Sequence, residues 1–288
     1  MAEKKILIKR TLTYKDFVGF IDYLKGENKT FELHSTGYTK TVITGNRKFT
    51  YLTTEGSKMV FPCYAKIKKD INATNIFVDE IPRRAIQYYD CLDYFKRPDS
   101  TDIIGCDVLN IDISSAYLTV LLNTGLITQE TYDYVQAAPK LVRLKSVGML
   151  ATSKSIYRFE NGTIINPDTP EIICNEEFRN IFFFCCYSIG EVMGKIAAAY
   201  GPDFLFFWVD GIYIRASASA DKAESIMTEH GFKFKTVLLN NCNFEVRKSY
   251  VTFAYQEPEK EKFKTFSIPI QDRSLKSDLD RFIKDLLK

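Results

Sequence analysis

The feature that most constrains the fold of this chain is residues 204–214, an apolar stretch with one carboxylate, Asp210, followed by Gly211. Apolar residues on both sides of Asp-Gly predict a buried strand, a tight turn and a returning strand. Burying a carboxylate there without a partner is costly, so we expect a divalent cation beside it. Taken alone, the stretch is better explained as an ordinary hairpin turn, because Asp-Gly is the strongest short hairpin signal.

Composition indicates a globular protein in a reducing compartment. The chain has 288 residues, 45% of them apolar and 26% charged, which allows one large domain or two smaller ones. Seven cysteines without C-x-x-C spacing predict buried free thiols and a cytoplasmic location. We expect no membrane span, because no stretch approaches the necessary length. Histidine-based chemistry is not expected, because His34 and His230 are the only histidines.

The first hundred residues predict an α+β region. A strand at 4–10 precedes a helix with a capping box at Thr13 and Asp16, and residues 30–68 are predicted as strands. Basic and aromatic side chains interleave there, as suits single-stranded nucleic acid, although a solvated outer face is the alternative for any single residue. The basic ones are Lys40, Arg47, Lys48, Lys58, Lys66, Lys68 and Lys69, and the aromatic ones are Tyr38, Phe49, Tyr51 and Tyr64.

A strand that ends in an acid follows a boundary predicted near 98–103. Residues 106–112 predict the strand, which ends at Asp112, and residues 113–122 predict a helix capped by Ser114 or Ser115. Backbone N–H groups at a helix start beside a carboxylate suit a metal-bound triphosphate.

The rest of the chain predicts an antiparallel sheet with helices on one face. The expected elements are a helix at 80–97, a hairpin at 156–174, a long core helix at 176–199, a helix at 221–230, strands at 232–255, a charged linker at 256–265 and an amphipathic helix at 271–288. We therefore divide the chain into an N-terminal region (1–100), a central domain (101–255) and a C-terminal linker and helix (256–288). Placed on adjacent strands, Asp112 and Asp210 suit two divalent cations for in-line phosphoryl transfer.

These motifs resemble the palm of family B DNA polymerases. The family's first motif reads D-x-x-S-L-Y-P-S, and residues 112–119 read D-I-S-S-A-Y-L-T. Its third motif, D-T-D-S in a hairpin, is similar to Trp208-Val209-Asp210-Gly211, which keeps the second acid and loses the first. Its K-x-Y motif matches Lys248-Ser249-Tyr250.

The resemblance implies a role for each matching residue. Asp112, Asp210 and the carbonyl of Ile113 would hold two Mg²⁺ or Mn²⁺ ions, and Ser114 and Ser115 would contact the triphosphate. Tyr117 would pack beneath the sugar and exclude a 2′-hydroxyl, and Lys248 and Tyr250 would position the primer. Further phosphate contacts would come from Lys140, Arg143, Lys145 and Lys154. The structural alternative for Tyr117 is an ordinary aromatic residue of an amphipathic helix. The structural alternative for Lys248-Ser249-Tyr250 is an edge strand, in which polar and apolar residues alternate.

Departures from the family imply a minimal enzyme. The fingers motif K-x-x-x-N-S-x-Y-G has no clean match, only 98 positions separate Asp112 from Asp210, and neither an exonuclease pattern nor a full thumb is present. The resemblance thus implies an α+β, palm-like nucleotidyltransferase for priming or gap filling, in a bacterial host cell if phage-encoded.

Its expected partners are nucleoside triphosphates and a DNA primer-template or single-stranded template. The apolar stripe of the last helix would bind a protein partner or a second copy; it comprises Leu275, Leu279, Phe282, Ile283 and Leu286. Packing of that helix on its own domain is the alternative. A non-catalytic nucleic-acid-binding or replisome-scaffolding protein remains the rival function. A nucleotide cyclase is a third, although its glycine-rich signature is missing.

Overall fold

The structure, a computed structural model, describes residues 8–52, 57–74, 76, 105–208, 210–246, 250–256 and 263–269. This part of the chain mixes helices with two largely antiparallel sheets, which confirms the α+β fold class. The chain divides into two compact units. The first unit comprises Met1–Ile76 and Leu126–Phe182, and the second comprises Phe77–Gly125 and Phe183–Lys288.

The elements are numbered in chain order. The helices are α1 (Tyr14–Gly26), α2 (Ser57–Ala73), α3 (Ala116–Asn123), α4 (Gln129–Gln136), α5 (Lys140–Gly148), α6 (Glu176–Tyr200) and α7 (Asp221–Glu229). The strands are β1 (Ile8–Thr11), β2 (Phe31–Ser35), β3 (Thr39–Thr44), β4 (Arg47–Leu52), β5 (Cys106–Ile113), β6 (Lys154–Glu160), β7 (Thr163–Ile164), β8 (Glu171–Ile173), β9 (Phe204–Trp208), β10 (Gly211–Arg215), β11 (Phe234–Val246), β12 (Tyr250–Gln256) and β13 (Phe263–Pro269).

The first unit is built on a sheet in the order β1-β4-β3-β2-β6-β7, with β8 also paired to β6. Helix α1 begins as predicted: the backbone N–H of Asp16 donates to Thr13 Oγ1 at 3.2 Å. The buried side of α1 packs on the sheet, because Phe17 shares a core with Phe31 and Phe159. The predicted hairpin through Asn161-Gly162 is confirmed by the pairing of β6 with β7.

The prediction of strands over 57–68 is wrong, because this segment forms most of helix α2. Its buried residues are Val60, Cys63, Ile67 and Ile71, which recur at the helical spacing of three or four. Lys66 lies on the surface of this helix, where its Nζ is 2.7 Å from Glu130 Oε1.

Phe49 and Lys48 of β4 lie on opposite faces of the first sheet. Phe49 packs on Phe20 of α1 with ring centroids 4.3 Å apart, and Tyr51 lies 5.9 Å from Phe17. Alternation along β4 places Lys48 on the other face, where its register partner on β1 is Lys9. The two partly buried rings therefore pack on α1, on the face that also carries Lys40, the register partner of Tyr51.

Residues 126–182 join the N-terminal segment instead of the region after 101. Strand β6 pairs with β2 from Phe31↔Phe159 to Ser35↔Ser155, and this pairing completes the first sheet. The boundary predicted near 98–103 and the helix predicted at 80–97 lie outside the described residues.

The second unit contains an antiparallel sheet in the order β13-β12-β11-β5-β10-β9. Strands β9 and β10 form the hairpin predicted at 204–214. The ring of Phe253 on β12 lies 5.5 Å from that of Tyr213 on β10, although two strands separate them. In a flat sheet, three strand spacings amount to about 14 Å. The sheet therefore curls over an aromatic core that also includes Phe206.

Strand β13 falls where the sequence predicted a linker. It pairs with β12 from Gln256↔Phe263 to Tyr250↔Pro269, which extends the second sheet by one strand. The amphipathic helix predicted at 271–288, with its stripe from Leu275 to Leu286, lies outside the described residues.

Helix α6 and the turn after it form a 28-residue apolar segment, Glu176–Asp203, that by length and composition could cross a membrane. The prediction that no stretch approaches this length is therefore wrong. Buried core helices pass the same test, and the buried residues of α6 recur every three or four positions, as in a core helix. They include Phe178, Ile181, Cys185, Ile189, Val192, Ile196 and Tyr200.

We expect Gly162→Ala to destabilise the protein more than Gly45→Ala. Both glycines have a positive φ, 74° and 54°, so both substitutions carry the left-handed strain of a residue with a Cβ. A Cβ at 162 would also lie 2.4 Å from the Lys25 carbonyl oxygen, whereas position 45 has nothing within 4 Å. Urea unfolding should show an additional loss of roughly 1–3 kcal/mol for Gly162→Ala. Equal losses would contradict the close approach to Lys25.

Candidate active site

Asp112 lies on the central strand of the second sheet. Strand β5 pairs with β10 on one side and β11 on the other, and Asp112 is opposite Gly211 and Lys235 in those two ladders. Isoleucines flank it at 111 and 113, and both are fully buried, whereas Asp112 is partly exposed. Alternation along β5 therefore fixes the Asp112 carboxylate on the opposite face from these isoleucines.

Asp210 lies in the connection between β9 and β10. The backbone N–H of Ile113 donates to the carbonyl oxygen of Asp210 at 2.9 Å, so Asp210 is one position beyond the Asp112–Gly211 pair. Asp112 thus lies on a strand, and Asp210 lies in the turn that leads into the neighbouring strand. Because Asp210 precedes the first residue of β10, strand alternation does not decide the direction of its side chain.

Both carboxylates act on the phenol of Tyr213. Burial is the main cause that raises the pKa of Tyr213 far above its usual range, and the charges of Tyr255, Asp112 and Asp210 raise it further. Tyr213 stacks on Phe206 with ring centroids 4.2 Å apart. The acids therefore lie at the edge of the aromatic core and share one electrostatic environment.

Helix α3 begins directly after the strand that carries Asp112. Its N-cap is Ser115, in a left-handed conformation with φ of 55°, and the Ser115 side chain makes no capping hydrogen bond. The prediction that a serine side chain caps this helix by a hydrogen bond is therefore wrong for Ser115, although the helix starts where expected. Ser114 is exposed, and its backbone N–H donates to the Lys233 carbonyl oxygen at 2.7 Å.

Tyr117 is the second residue of α3 and is partly buried. Its hydroxyl oxygen accepts a hydrogen bond from the thiol of Cys186 at 3.9 Å. Cys186 belongs to helix α6, so the hydroxyl end of Tyr117 lies against that helix.

The four predicted phosphate-binding cations belong to a different unit from the acids, with Lys154 at the start of β6. Lys140, Arg143 and Lys145 lie on α5 of the first unit, where Arg143 Nη1 donates to the Gln136 carbonyl oxygen at 3.4 Å. Lys248 lies outside the described residues. Tyr250 begins β12, with its backbone opposite Pro269.

Two further residues lie beside Asp112 without a signal in the sequence: Lys235 and Asn110. Lys235 is exposed and lies directly opposite Asp112 on β11. Asn110 lies opposite Tyr213, and its side-chain amide donates to the Ile212 carbonyl oxygen at 3.2 Å. Only the strand register identifies these neighbours, because nothing in the local sequence pairs position 235 with position 112.

The donor set suits magnesium held together with a phosphate ligand. Mg²⁺ is usually bound by one or two carboxylates plus substrate phosphates and waters, instead of a complete protein cage. Asp112 on β5 and Asp210 in the turn before β10 supply two carboxylates. Among the described residues, no group of three or more His, Cys, Asp or Glu side chains is arranged around a common metal position, so a two-carboxylate site is the arrangement to consider.

Comparisons with known proteins give no family for this chain. No protein-family model matches it, and no curated protein matches it significantly. The likeness to family B polymerases therefore rests on the motifs around Asp112, Asp210 and Tyr250.

We expect Tyr213→Phe to make the protein less sensitive to alkali. The pKa of Tyr213 is higher in the folded protein than in the unfolded chain. The neutral phenol therefore contributes stability below pH about 10, and this stability is lost as the pH rises towards the pKa of Tyr213 in the folded protein. Above pH 10 the free energy of unfolding of the wild type should therefore fall faster than that of the variant, by up to about 1.4 kcal/mol per pH unit. Urea unfolding between pH 9 and about 11.5 measures this slope. If the free energy of unfolding fell equally fast with pH in the wild type and the variant, the raised pKa of Tyr213 would be contradicted.

Proposed function

We propose that the chain is a metal-dependent, template-directed nucleotidyltransferase with a minimal palm similar to that of family B DNA polymerases. The observation that supports this most is the β5–β10 register, which sets Asp112 opposite Gly211 and next to Asp210. An acid on a strand beside an acid in the adjoining hairpin turn suits two-metal phosphoryl transfer. Priming or gap filling suits a chain of this size.

In this proposal, Asp112, Asp210 and the Ile113 carbonyl hold Mg²⁺ or Mn²⁺, which neutralises charge on the transferring phosphate when bound. The first backbone N–H groups of α3 attract anionic phosphate, with Ser114 and Ser115 beside them. Tyr117 limits the room for a 2′-hydroxyl. Lys140, Arg143 and Lys145 are proposed as phosphate-binding residues on α5 of the first unit.

The proposal also covers the contacts to the primer, the partners and the cellular location. Lys248 and Tyr250 position the primer strand, and the substrates are nucleoside triphosphates on a primer-template or single-stranded DNA. The C-terminal helix at 271–288 recruits a protein partner or a second copy. The protein works in the cytoplasm, in a bacterial host cell if it is phage-encoded.

A non-catalytic nucleic-acid-binding or scaffolding protein derived from a polymerase palm is the second candidate. It is favoured by the Tyr117 contact, because a hydroxyl bonded to Cys186 is also what a purely structural tyrosine of α3 would show. Binding of template DNA without nucleotide incorporation would identify this candidate.

We expect Asp112→Asn and Asp210→Asn each to abolish incorporation of labelled nucleotides on a primed template with Mg²⁺ or Mn²⁺. Each change keeps the side-chain size and removes the charge that would hold the cation, so the loss should reach about a thousandfold. Asp203→Asn is the matched control, because Asp203 lies in the turn before β9 and has no role here. Circular dichroism should show unchanged folding. Incorporation near the wild-type rate by either variant would refute the catalytic assignment.

A further inference from the structure

Lys235 is the cation whose place in the second sheet is closest to Asp112. The ladder between β5 and β11 pairs Lys235 with Asp112, Val237 with Asn110 and Leu239 with Val108. Directly opposite residues of an antiparallel pair have Cβ atoms about 4.5–5.5 Å apart and point to the same face.

The neighbours of Lys235 along β11 identify the face of its side chain. Val237 and Leu239 both pack into the core that contains Phe206 and Tyr213. Residues two apart share a face, so Lys235 extends the same row beyond the aromatic core. Its side chain is exposed at the level of Asp112, where the core gives way to solvent.

We propose that Lys235 binds the phosphates of the incoming nucleoside triphosphate. This inference rests on the proposed function and assigns a phosphate-binding residue within the same unit as the acids. An ammonium on a flexible four-carbon stem reaches several positions of a triphosphate and neutralises it as a point charge. The usual fingers motif has no clean match in this chain, so Lys235 supplies from β11 the positive charge that the motif would provide.

The alternative role for Lys235 is a cross-strand partner of Asp112 that only stabilises the sheet. Such a role changes the melting temperature and leaves nucleotide affinity unaltered. A cross-strand ion pair with Asp112 needs a positive charge just as phosphate binding does, so arginine can replace lysine in either role. Nucleotide affinity, measured together with the melting temperature, therefore separates the two roles.

The test measures steady-state incorporation by the full chain on a fixed primer-template. Lys235→Ala should raise the KM for deoxynucleoside triphosphate about tenfold or more, with kcat changed less than about threefold. Lys235→Arg should restore most of the affinity. Lys195→Ala removes an exposed cation of α6 and should leave KM unchanged. Lys235→Gln replaces Lys235→Ala if the alanine variant unfolds.

Binding of a fluorescent deoxyadenosine triphosphate with Ca²⁺ separates failure of this inference from failure of the proposed function. If the wild type binds the nucleotide without incorporating it and Lys235→Ala weakens binding, the residue assignment stands and polymerase activity is refuted. If the wild type incorporates nucleotides and Lys235→Ala has an unchanged KM, the assignment of Lys235 is overturned. A wild type that neither binds nor incorporates nucleotides overturns both.

A separate observation concerns two thiols of the same sheet. Cys106 on β5 and Cys242 on β11 are register partners, and both pack into the same core cluster. They lie just beyond a register shift, where Asn241 adopts a positive φ of 51°. Opposite residues of antiparallel strands have Cα atoms about 4.5–5.5 Å apart, within the range of about 4.4–6.8 Å that a disulfide spans.

We infer that Cys106 and Cys242 form a cross-strand disulfide when glutathione disulfide is present. The Cys106 thiolate attacks one sulfur of glutathione disulfide and releases one glutathione. The Cys242 thiolate then attacks the Cys106 sulfur of the mixed disulfide and releases the second glutathione. Two protein thiols are oxidised and one glutathione disulfide is reduced to two thiols. Burial raises the pKa of both protein thiols, that of Cys242 to about 12, so the reaction is slow at neutral pH and faster in alkali.

Peptide mapping by mass spectrometry under non-reducing conditions tests this second inference. After treatment at about pH 8.5, the peptides containing Cys106 and Cys242 should be linked, with the loss of two hydrogens. Dithiothreitol should reverse the link, and Cys106→Ser and Cys242→Ser should each prevent it. A persistent glutathione adduct on Cys106, or no modification of either thiol in the folded wild type, would overturn the inference.

Discussion

The pairing of β5 with β10 and β11 is the interaction on which the second unit depends. It joins a strand near residue 110 to strands more than a hundred residues later, and it buries Ile111 and Ile113 on one face. The same pairing leaves Asp112 at a partly exposed position between Gly211 and Lys235. One ladder thus provides hydrophobic stability on one side of the sheet and collects the polar groups of the candidate site on the other.

The curled sheet places the candidate site next to a packed aromatic core. The rings of Phe206, Tyr213 and Phe253 fill the concave face, with Phe206 and Phe253 almost fully buried. A tightly packed aromatic core holds its strands at fixed separations. Asp112 and Lys235 continue the rows of side chains beyond that core, so their spacing is set by rigid strands instead of by loops. Sites built on strands keep a more constant geometry than sites built on loops.

Local patterns of the sequence predicted the local elements well. The Thr13 cap, the hairpin at 204–214 and the core helix α6 each follow from residues that are neighbours in the chain. Helix α2 was missed, because Pro62 lies inside it and interrupts the helical signal. The position of Lys235 opposite Asp112 and the pairing of β6 with β2 were also missed, since strand register between distant segments leaves no trace in local periodicity. The roles of Asp112 and Asp210 came from motif resemblance and remain predictions.

The interleaved order of the two units has a consequence for synthesis and folding. The first sheet needs β6, so it cannot be completed until the ribosome has made the chain beyond residue 160, and β5 emerges before any of its partners. During that interval β5 exposes a strongly apolar strand with unpaired backbone groups on both edges. Long-range strand pairing of this kind folds slowly and is open to aggregation. We expect β5 to need protection until β10 and β11 have been made, and the folding yield to be limited by the arrival of these two strands.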